Sequence, residues 1–310
     1  MSGIGVILNP YSRSYRRDPE RLKRVGFIVG DKGSCHTTDT LEQVHELAQE
    51  FKERDIDILG MSGGDGTIHK TLTAFINVYG EKPLPRIALL RGGTMNTIAG
   101  QLGIHGTPEY LLSNLILKYH EGEAFEETKV HVLKVNGDHG FLLGLGLPSR
   151  FVETYHKGGG YTPARAAWLL FRAMCSALFA TRFSQKLNER FDCKLSIDGR
   201  PAPFKNYTTI VMGTVPSVGF NFRTLYRARS QTGQFQVVAI SGTARQTLLT
   251  FPRMVLAQPT KSEHVIDEMA STVVMEFEQP VSYMLDGDFP ERPPRRIEVA
   301  TGPLLTCIIS

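Results

Sequence analysis

Met61-Ser-Gly-Gly-Asp-Gly-Thr67 follows the run Asp57-Ile-Leu-Gly-Met61, which has the character of a buried strand that ends where the glycines begin. Glycines at a strand's end let the chain turn sharply and bring backbone N–H groups close to an anion. The next segment, Ile68 to Phe75, can open a helix whose N-terminal dipole favours phosphate. A carboxylate at Asp65, inside such a turn, is out of place unless a metal ion or a proton to be abstracted accounts for it. The plainer alternative is a tight strand-to-helix turn with a solvated aspartate.

The arrangement recurs. Arg86-Ile-Ala-Leu-Leu90 runs into Arg91-Gly-Gly-Thr-Met-Asn-Thr97 and then a helix-like stretch to Leu102, and Ile4-Gly-Val-Ile-Leu8 runs into Asn9-Pro-Tyr-Ser12. Three strand ends with small or polar residues, in consecutive βα units, are expected to gather on one edge of a parallel sheet. Open α/β folds bind ligands at that edge.

At 310 residues the chain has room for two cores, and 41% apolar with 21% charged residues is ordinary for a globular protein. Cys35, Cys175, Cys193 and Cys307 are widely spaced and form no Cys-x-x-Cys pair, so neither zinc site nor disulfide framework is expected and a reducing cytosol fits best. The first residues do not read as a signal peptide, and no stretch approaches the roughly 20 apolar residues of a membrane span. The formal charge of +4 is matched by one cluster, Arg13, Arg16, Arg17, Arg21, Lys23 and Arg24 against Asp18 and Glu20. That cluster reads as a solvated helix face, or as an attractor for phosphates or an anionic membrane. Nucleic acid is not expected as a partner, because the basic run has little aromatic interleaving beyond Tyr11 and Tyr15 and no recognised helix or zinc module follows.

To about Ala124, short strands alternate with helical stretches such as Leu41 to Phe51, whose Leu41, Val44, Leu47, Ala48 and Phe51 share one face. After Gly122 the pattern becomes strands and turns: Thr128 to Val135, Phe141 to Leu147, Asp192 to Ile197, Tyr207 to Met212, Phe235 to Ile240, Ser271 to Phe277 and the tail Ile297 to Ile309. Asn136-Gly137 and Asp198-Gly199 are hairpin turn pairs. The fold class expected is an α/β N-terminal domain with a parallel sheet, residues 1–124 and 297–310, plus an antiparallel β-sandwich over 125–296. Thr162 to Ala180 interrupts the β half with about four helical turns that are apolar almost all round. A core helix is the first expectation for it, and a flap over an apolar ligand, carrying Trp168, the second.

Together, Leu8-Asn-Pro10, Thr37-Thr38, Ser62-Gly-Gly-Asp-Gly-Thr67, Gly92-Gly-Thr-Met-Asn96 and Leu285-Asp-Gly-Asp288 resemble the diacylglycerol kinase catalytic family, which includes bacterial lipid kinases, sphingosine kinases and ceramide kinases and is related to NAD kinases. The resemblance spans nearly the whole chain. It implies a nucleotide-binding α/β domain, a lipid-binding β-sandwich and a C-terminal strand that returns to the first domain. Carried over by position, Asn9, Ser12, Thr38, Gly63, Gly64, Asp65, Thr67, Gly93, Thr94 and Asn96 would line an ATP site. Asp286-Gly-Asp288 corresponds to an acidic element that in such kinases helps position magnesium or the acceptor hydroxyl. Lys157 and Arg165, flanking Gly158-Gly-Gly160, fall in a region similar to one that carries phosphate-binding arginines in sphingosine kinases. The first loop departs from the family, with Asn9-Pro-Tyr-Ser-Arg-Ser14 where glycines are usual. The separate magnesium-binding acidic cluster of some bacterial diacylglycerol kinases has no clear copy.

The resemblance implies ATP- and Mg2+-dependent phosphorylation of a lipid hydroxyl in diacylglycerol, a sphingoid base or ceramide. Asp288 is the first choice of general base and Asp65 the second, while Asp286 orients the acceptor or binds metal. A soluble-substrate kinase of the NAD kinase type and a non-catalytic lipid or nucleotide sensor are the alternatives. The enzyme is expected in the cytoplasm, transiently at the inner membrane surface, with the Trp168 segment and the basic run near Arg16 as candidate contacts.

Overall fold

The computed structural model of the chain describes residues 3–30, 33–93, 96–157, 162–179, 181–219, 222–260 and 262–309. It divides into two compact units, Met1–Val130 with Pro303–Ser310, and His131–Gly302.

In the first unit, β1 (Ile4–Leu8), β2 (Gly33–Thr37), β3 (Ile58–Ser62) and β4 (Arg86–Leu89) pair in parallel in the order β4-β3-β1-β2. Cys307 and Ile308, at the end of the chain's last strand, add to β4 in the same sense. Six helices intervene: α1 (Arg13–Arg17), α2 (Glu20–Val29), α3 (Leu41–Arg54), α4 (Asp65–Tyr79), α5 (Thr97–Gln101) and α6 (Pro108–Glu121). β1, and β3 up to its terminal Ser62, are apolar without alternation, and both are buried at every position, as expected of parallel strands covered on both faces. Val25 and Val29 of α2 and Leu112, Leu115 and Ile116 of α6 pack with Val6, Leu8, Ile58 and Ala88. Phe51 of α3 and Phe75 of α4 meet edge to face at 6.0 Å, both fully buried. The stripe expected on α3 is buried at Val44, Ala48 and Phe51, whereas Leu41 at its first turn is exposed.

Local signals set the ends of these helices. The Thr40 and Thr107 hydroxyls accept the N–H of Gln43 and Tyr110, Pro108 occupies the first turn of α6, and Gly122 ends it with φ 71°. α4 begins three residues earlier than expected, at Asp65, because Gly64 already has extended cap geometry and an acid is favoured in a first turn. Part of the basic cluster is ion-paired: Arg21 lies 2.6 Å from Glu109, Arg24 2.5 Å from Asp18 and Lys23 2.9 Å from Glu20.

The second unit is mainly antiparallel. In chain order its elements are β5 (Glu127–Val135), which begins in the first unit, β6 (Asp138–Gly140), β7 (Leu142–Gly146), α7 (Leu147–Lys157), α8 (Pro163–Leu178), α9 (Arg182–Leu187), β8 (Phe191–Asp192), β9 (Lys194–Ile197), β10 (Arg200–Pro201), β11 (Asn206–Tyr207), β12 (Thr209–Gly213), β13 (Phe235–Ile240), α10 (Ala244–Val255), β14 (Val265–Ala270), β15 (Thr272–Glu276), β16 (Tyr283–Leu285) and β17 (Arg296–Ile308), which ends in the first unit. One sheet runs β14-β13-β12-β7-β16, and the strands β10-β9-β15-β17 form the opposing layer. Leu143, Leu145, Ile210, Met212, Val237 and Ala239 from the first layer share a core with Leu195, Ile197, Val273, Met275, Ile297 and Val299 from the second. This is the antiparallel sandwich expected from the turn spacing. Asn136-Gly137 and Asp198-Gly199 have positive φ at both residues, 50° and 104°, then 46° and 76°, as a type I′ hairpin requires.

Several segments differ from their sequence expectation, among them Tyr207 to Met212, which is interrupted at Thr208. The strand expected over Phe141 to Leu147 stops at Gly146, and Leu147 opens α7. The strand expected over Asp192 to Ile197 is interrupted at Cys193. The Trp168 segment is no core helix: α8 buries Ala166, Leu169, Ser176 and Ala177 and leaves Trp168 58% exposed. α10 went unread in the sequence, although a capping box, Thr243 with Gln246, marks its start, because Pro252 inside it masks the helical pattern. No helix among the described residues is long and apolar enough to cross a membrane.

Candidate active site

Parallel pairing aligns Leu8 of β1 with Thr37 of β2 and with Ser62 of β3, so Asn9, Thr38 and Gly63 leave the sheet side by side. β1 lies between β2 and β3, which makes the gap between β1 and β3 the point where strand order reverses, the usual ligand crevice of such sheets. Asn9 spans it. Its Nδ2 donates to Thr67 Oγ1 at 2.8 Å, and its Oδ1 accepts the Tyr11 N–H at 2.8 Å. The first loop, poor in glycine, is thus shaped by the asparagine side chain.

The two glycine loops touch one another. A Cβ on Gly93 would sit 2.4 Å from the Cα of Gly64, and one on Gly63 would sit 2.4 Å from Thr67 Cβ. Besides freeing amides for an anion, these glycines allow two backbones to meet. Asn96, at φ 47° before α5, closes the second loop on itself: its Oδ1 accepts the Gly93 N–H at 2.9 Å and its Nδ2 donates to the Gly93 carbonyl at 3.1 Å.

Asp65 joins the loops electrostatically. From the first turn of α4 its Oδ2 accepts the Thr97 N–H at 3.0 Å and its Oδ1 accepts the Ile98 N–H at 3.2 Å, both at the start of α5. A carboxylate here needs neither metal nor substrate proton to account for it. Two helix N-termini stabilise it, which corrects the expectation that it would be misplaced.

Ser12 and the start of α4 are suited to a further ligand. Ser12 is 8% exposed, and its Oγ is buried with no hydrogen-bond partner among the described residues. Tyr15 holds this loop in place: its hydroxyl lies 2.5 Å from Ser62 Oγ, and burial pushes its pKa up to about 12, against the lowering effect of the Ser62 bond. The N-cap residue of α4, Gly64, makes no side-chain cap, and the helix dipole opens at the crevice. A buried hydroxyl beside a helix start fits a phosphate. The structure therefore brings Asn9, Ser12, Thr38, Gly63, Gly64, Asp65, Thr67, Gly93 and Asn96 to one sheet edge, while Thr94 lies outside the described residues.

The acidic element belongs to the second unit. Asp286 (φ 51°) and Gly287 (φ 93°) make a left-handed turn closed by Leu285 and Asp288, whose backbones exchange hydrogen bonds at 2.8 and 3.0 Å. Asp286 is 8% exposed; its Oδ1 accepts from the Phe141 and Leu142 N–H groups at 3.1 and 2.9 Å, and its Oδ2 from Phe141 at 3.0 Å. Oxygens so engaged have little to offer a cation, so the role of Asp286 as a magnesium ligand fits poorly and orientation of the turn fits well. No group of three or more His, Cys, Asp or Glu side chains among the described residues could hold a metal ion unaided. Magnesium at kinase sites rests mostly on phosphate oxygens and water, with one or two carboxylates. Asp286→Ala would strand two buried N–H groups and is expected to cost about 1–3 kcal/mol for each. Asp286→Asn, which keeps an acceptor and tolerates positive φ, is expected to lose less; urea titration of the two variants measures the difference.

Asp288 is half-buried and has a neighbour that sequence reasoning missed. His156, in the last turn of α7, meets the Phe289 ring edge to face at 6.1 Å, one residue from Asp288. Burial holds the His156 imidazole below its ordinary pKa, and the Asp288 carboxylate works against that. No local signal could have joined two residues so far apart in the chain. Lys157 ends the same helix with its ammonium 2.6 Å from Glu153, and Arg165 lies in the first turn of α8. The glycines between them, Gly158 to Gly160, are outside the described residues.

Residues 4–123 match the profile of the diacylglycerol kinase catalytic domain. A crystal structure of a candidate diacylglycerol kinase from Bacillus anthracis str. Sterne superposes with a TM-score of 0.74 at 17% identity, covering 100% of this chain and 97% of that one. A crystal structure of a diacylglycerol kinase from the same strain gives 0.67 at 16% identity, again over 100% and 97% of the two chains. At these identities the likeness is one of fold. No curated protein sequence matches the chain. The profile covers the sheet edge where Asn9, Ser12 and the two glycine loops meet, so residues 4–123 of this chain carry a domain of the diacylglycerol kinase catalytic type.

Proposed function

We propose that this protein is an ATP-dependent lipid kinase that transfers the γ-phosphoryl group of ATP to a lipid hydroxyl. The observation that carries the proposal is the buried Ser12 hydroxyl, without a hydrogen-bond partner among the described residues, beside the start of α4, within a domain of the diacylglycerol kinase catalytic family. Ser12 Oγ and the first-turn N–H groups of α4 would hold phosphate oxygens, Asn9 and Thr67 would shape the crevice, and Asp65 would keep the glycine loops in register. ATP supplies the transferable phosphoryl group.

An alcohol is a poor nucleophile at neutral pH. As its oxygen attacks phosphorus and the bond to ADP breaks, the hydroxyl proton passes to a carboxylate, for which Asp288 is the candidate. Asp286 fixes the turn that presents Asp288. Incubation with ATP and Mg2+ against a panel of diacylglycerol, sphingoid bases, ceramide and acylglycerols, read by mass spectrometry, tests the proposal. Phosphorylated lipid is the expected product. Labelled phosphate appearing only in an aqueous acceptor such as NAD, or ATP binding without turnover on any lipid, would contradict it.

His156 makes the reaction pH-sensitive. Its pKa lies below the ordinary 6.5, so it is neutral at pH 7 and becomes a cation beside Asp288 only as the pH falls through that lowered value. The cation would weaken Asp288 as a proton acceptor, so kcat/KM is expected to drop on the acid side, and His156→Gln should move that limb to lower pH. Stability follows the same sign: a depressed folded pKa contributes stability present above 6.5 and lost as the pH falls through the folded value. Melting temperature against pH should be flatter in His156→Gln.

A further inference from the structure

Every large hydrophobic side chain described as exposed in the second unit lies on α8, α10 or the cap residue that ends each. They are Trp168, Phe171, Met174, Leu178 and Phe179 on the first helix and Leu249, Val255 and Leu256 on the second. The two helices pack against each other. On α8, Ala164, Trp168, Phe171 and Leu178 recur at helical spacing along the outward side, while Ala166, Leu169 and Ala177 face inward. The polarity of an ordinary surface helix is therefore missing, since both sides are apolar. α10 repeats the theme with Arg245, Leu249, Pro252, Arg253 and Leu256 exposed in one stripe.

The charge around these side chains has one sign. No acidic residue occurs between Glu153 and Glu189, or between Asp198 and Glu263, whereas α8 and α9 carry Arg165, Arg172, Arg182 and Lys186, and α10 carries Arg245 and Arg253. The Arg172 guanidinium lies over the Phe183 ring at 4.4 Å and the Trp168 ring at 5.5 Å, which holds a cation beside the apolar stripe. Over the whole chain acidic residues nearly balance basic ones, 31 against 35, so the absence of acids from these segments is a local feature.

We infer that α8 and α10 form an interfacial surface that docks on an anionic lipid bilayer, inserting Trp168, Phe171, Leu178, Leu249 and Leu256 among the acyl chains while the flanking arginines contact anionic headgroups. Apolar insertion and headgroup attraction act together in helices that lie in the membrane interface. A protein partner of mixed charge would leave these arginines without matching acids, whereas an anionic lipid surface offers a phosphate to each. This docking extends the lipid-kinase proposal to the place where an acyl-chain substrate is met, and it is testable without turnover.

Trp168 is the only tryptophan in the chain, so its fluorescence reports on this surface alone. With the full chain, addition of phosphatidylcholine vesicles containing phosphatidylglycerol should shift the emission to the blue and carry the protein up a flotation gradient; pure phosphatidylcholine should do so weakly. Phe171→Glu/Leu249→Glu should abolish flotation. Arg245→Glu/Arg253→Glu should weaken partitioning by about 30-fold or more, since each basic residue near an anionic surface contributes roughly fivefold. Melting curves establish that both variants are folded. Absence of a blue shift and of flotation in the wild-type chain would overturn the inference, as would flotation unchanged in either variant or equal on neutral and anionic vesicles. A concentration-dependent dimer that Phe171→Glu dissociates without vesicles would assign the surface to a second copy. None of these readouts involves ATP, so a failed docking result and a failed kinase assay remain separate outcomes.

Discussion

Asp288→Asn should lower lipid phosphorylation by about 10² to 10⁴, the usual contribution of a positioned general base, with folding and ATP binding unchanged. The turn that carries Asp288 is held by backbone bonds to Leu285 and by the Asp286 carboxylate, none of which uses the Asp288 side chain's charge. Asp65→Asn should behave differently. Asp65 accepts two N–H groups at the start of α5, so its loss should appear first as a weaker helix cap, about 0.5–2 kcal/mol of stability, and as a higher KM for ATP. Single-turnover rates with denaturation curves for both variants distinguish the roles. Should Asp65→Asn lose turnover as completely as Asp288→Asn at unchanged stability and ATP affinity, Asp65 would be the base.

Gly93→Ala is expected to be the most damaging small substitution at the sheet edge. Its Cβ would lie 2.4 Å from the Gly64 Cα, a backbone contact that no rotamer change can relieve. One loop must retreat from the other, disturbing the Asn96 bonds to Gly93 and the Asp65 contacts to α5. Overpacking of this kind costs about 1–3 kcal/mol, so a fall in melting temperature of several degrees should accompany loss of ATP binding. Gly26→Ala is the contrasting case: Gly26 lies in α2, where an added methyl group would meet no described atom within 4 Å, and alanine there should be neutral or slightly stabilising. Equal effects of the two substitutions on melting temperature and nucleotide affinity would refute the proposed contact between the loops.

Much of this was legible in the chain itself. The loops after β1, β3 and β4 could be read because parallel strands leave glycine and short polar residues at their ends, and the two I′ turns because only a few residue pairs accept positive φ twice. α8 was harder. A helix apolar on every side carries no instruction about which side faces inward, and its neighbours α9 and α10 decide the matter. α10 was hidden by Pro252, although the Thr243 and Gln246 capping box was present in the sequence. The proximity of His156 to Asp288 left no trace in the local pattern, since helix α7 and the turn after β16 are distant in the chain.

The amino-acid sequence alone determined the two architectures and the identity of the strand-end loops, because strand period, glycine placement and turn pairs are local properties of the backbone. Tertiary structure decided what those residues touch. It set Gly93 against Gly64, turned Asp65 towards a second helix, committed Asp286 to the Phe141 and Leu142 amides, and left the Trp168 face of α8 exposed. Contacts of this kind depend on distances between segments far apart in the chain, and these exist only once the sheets have paired.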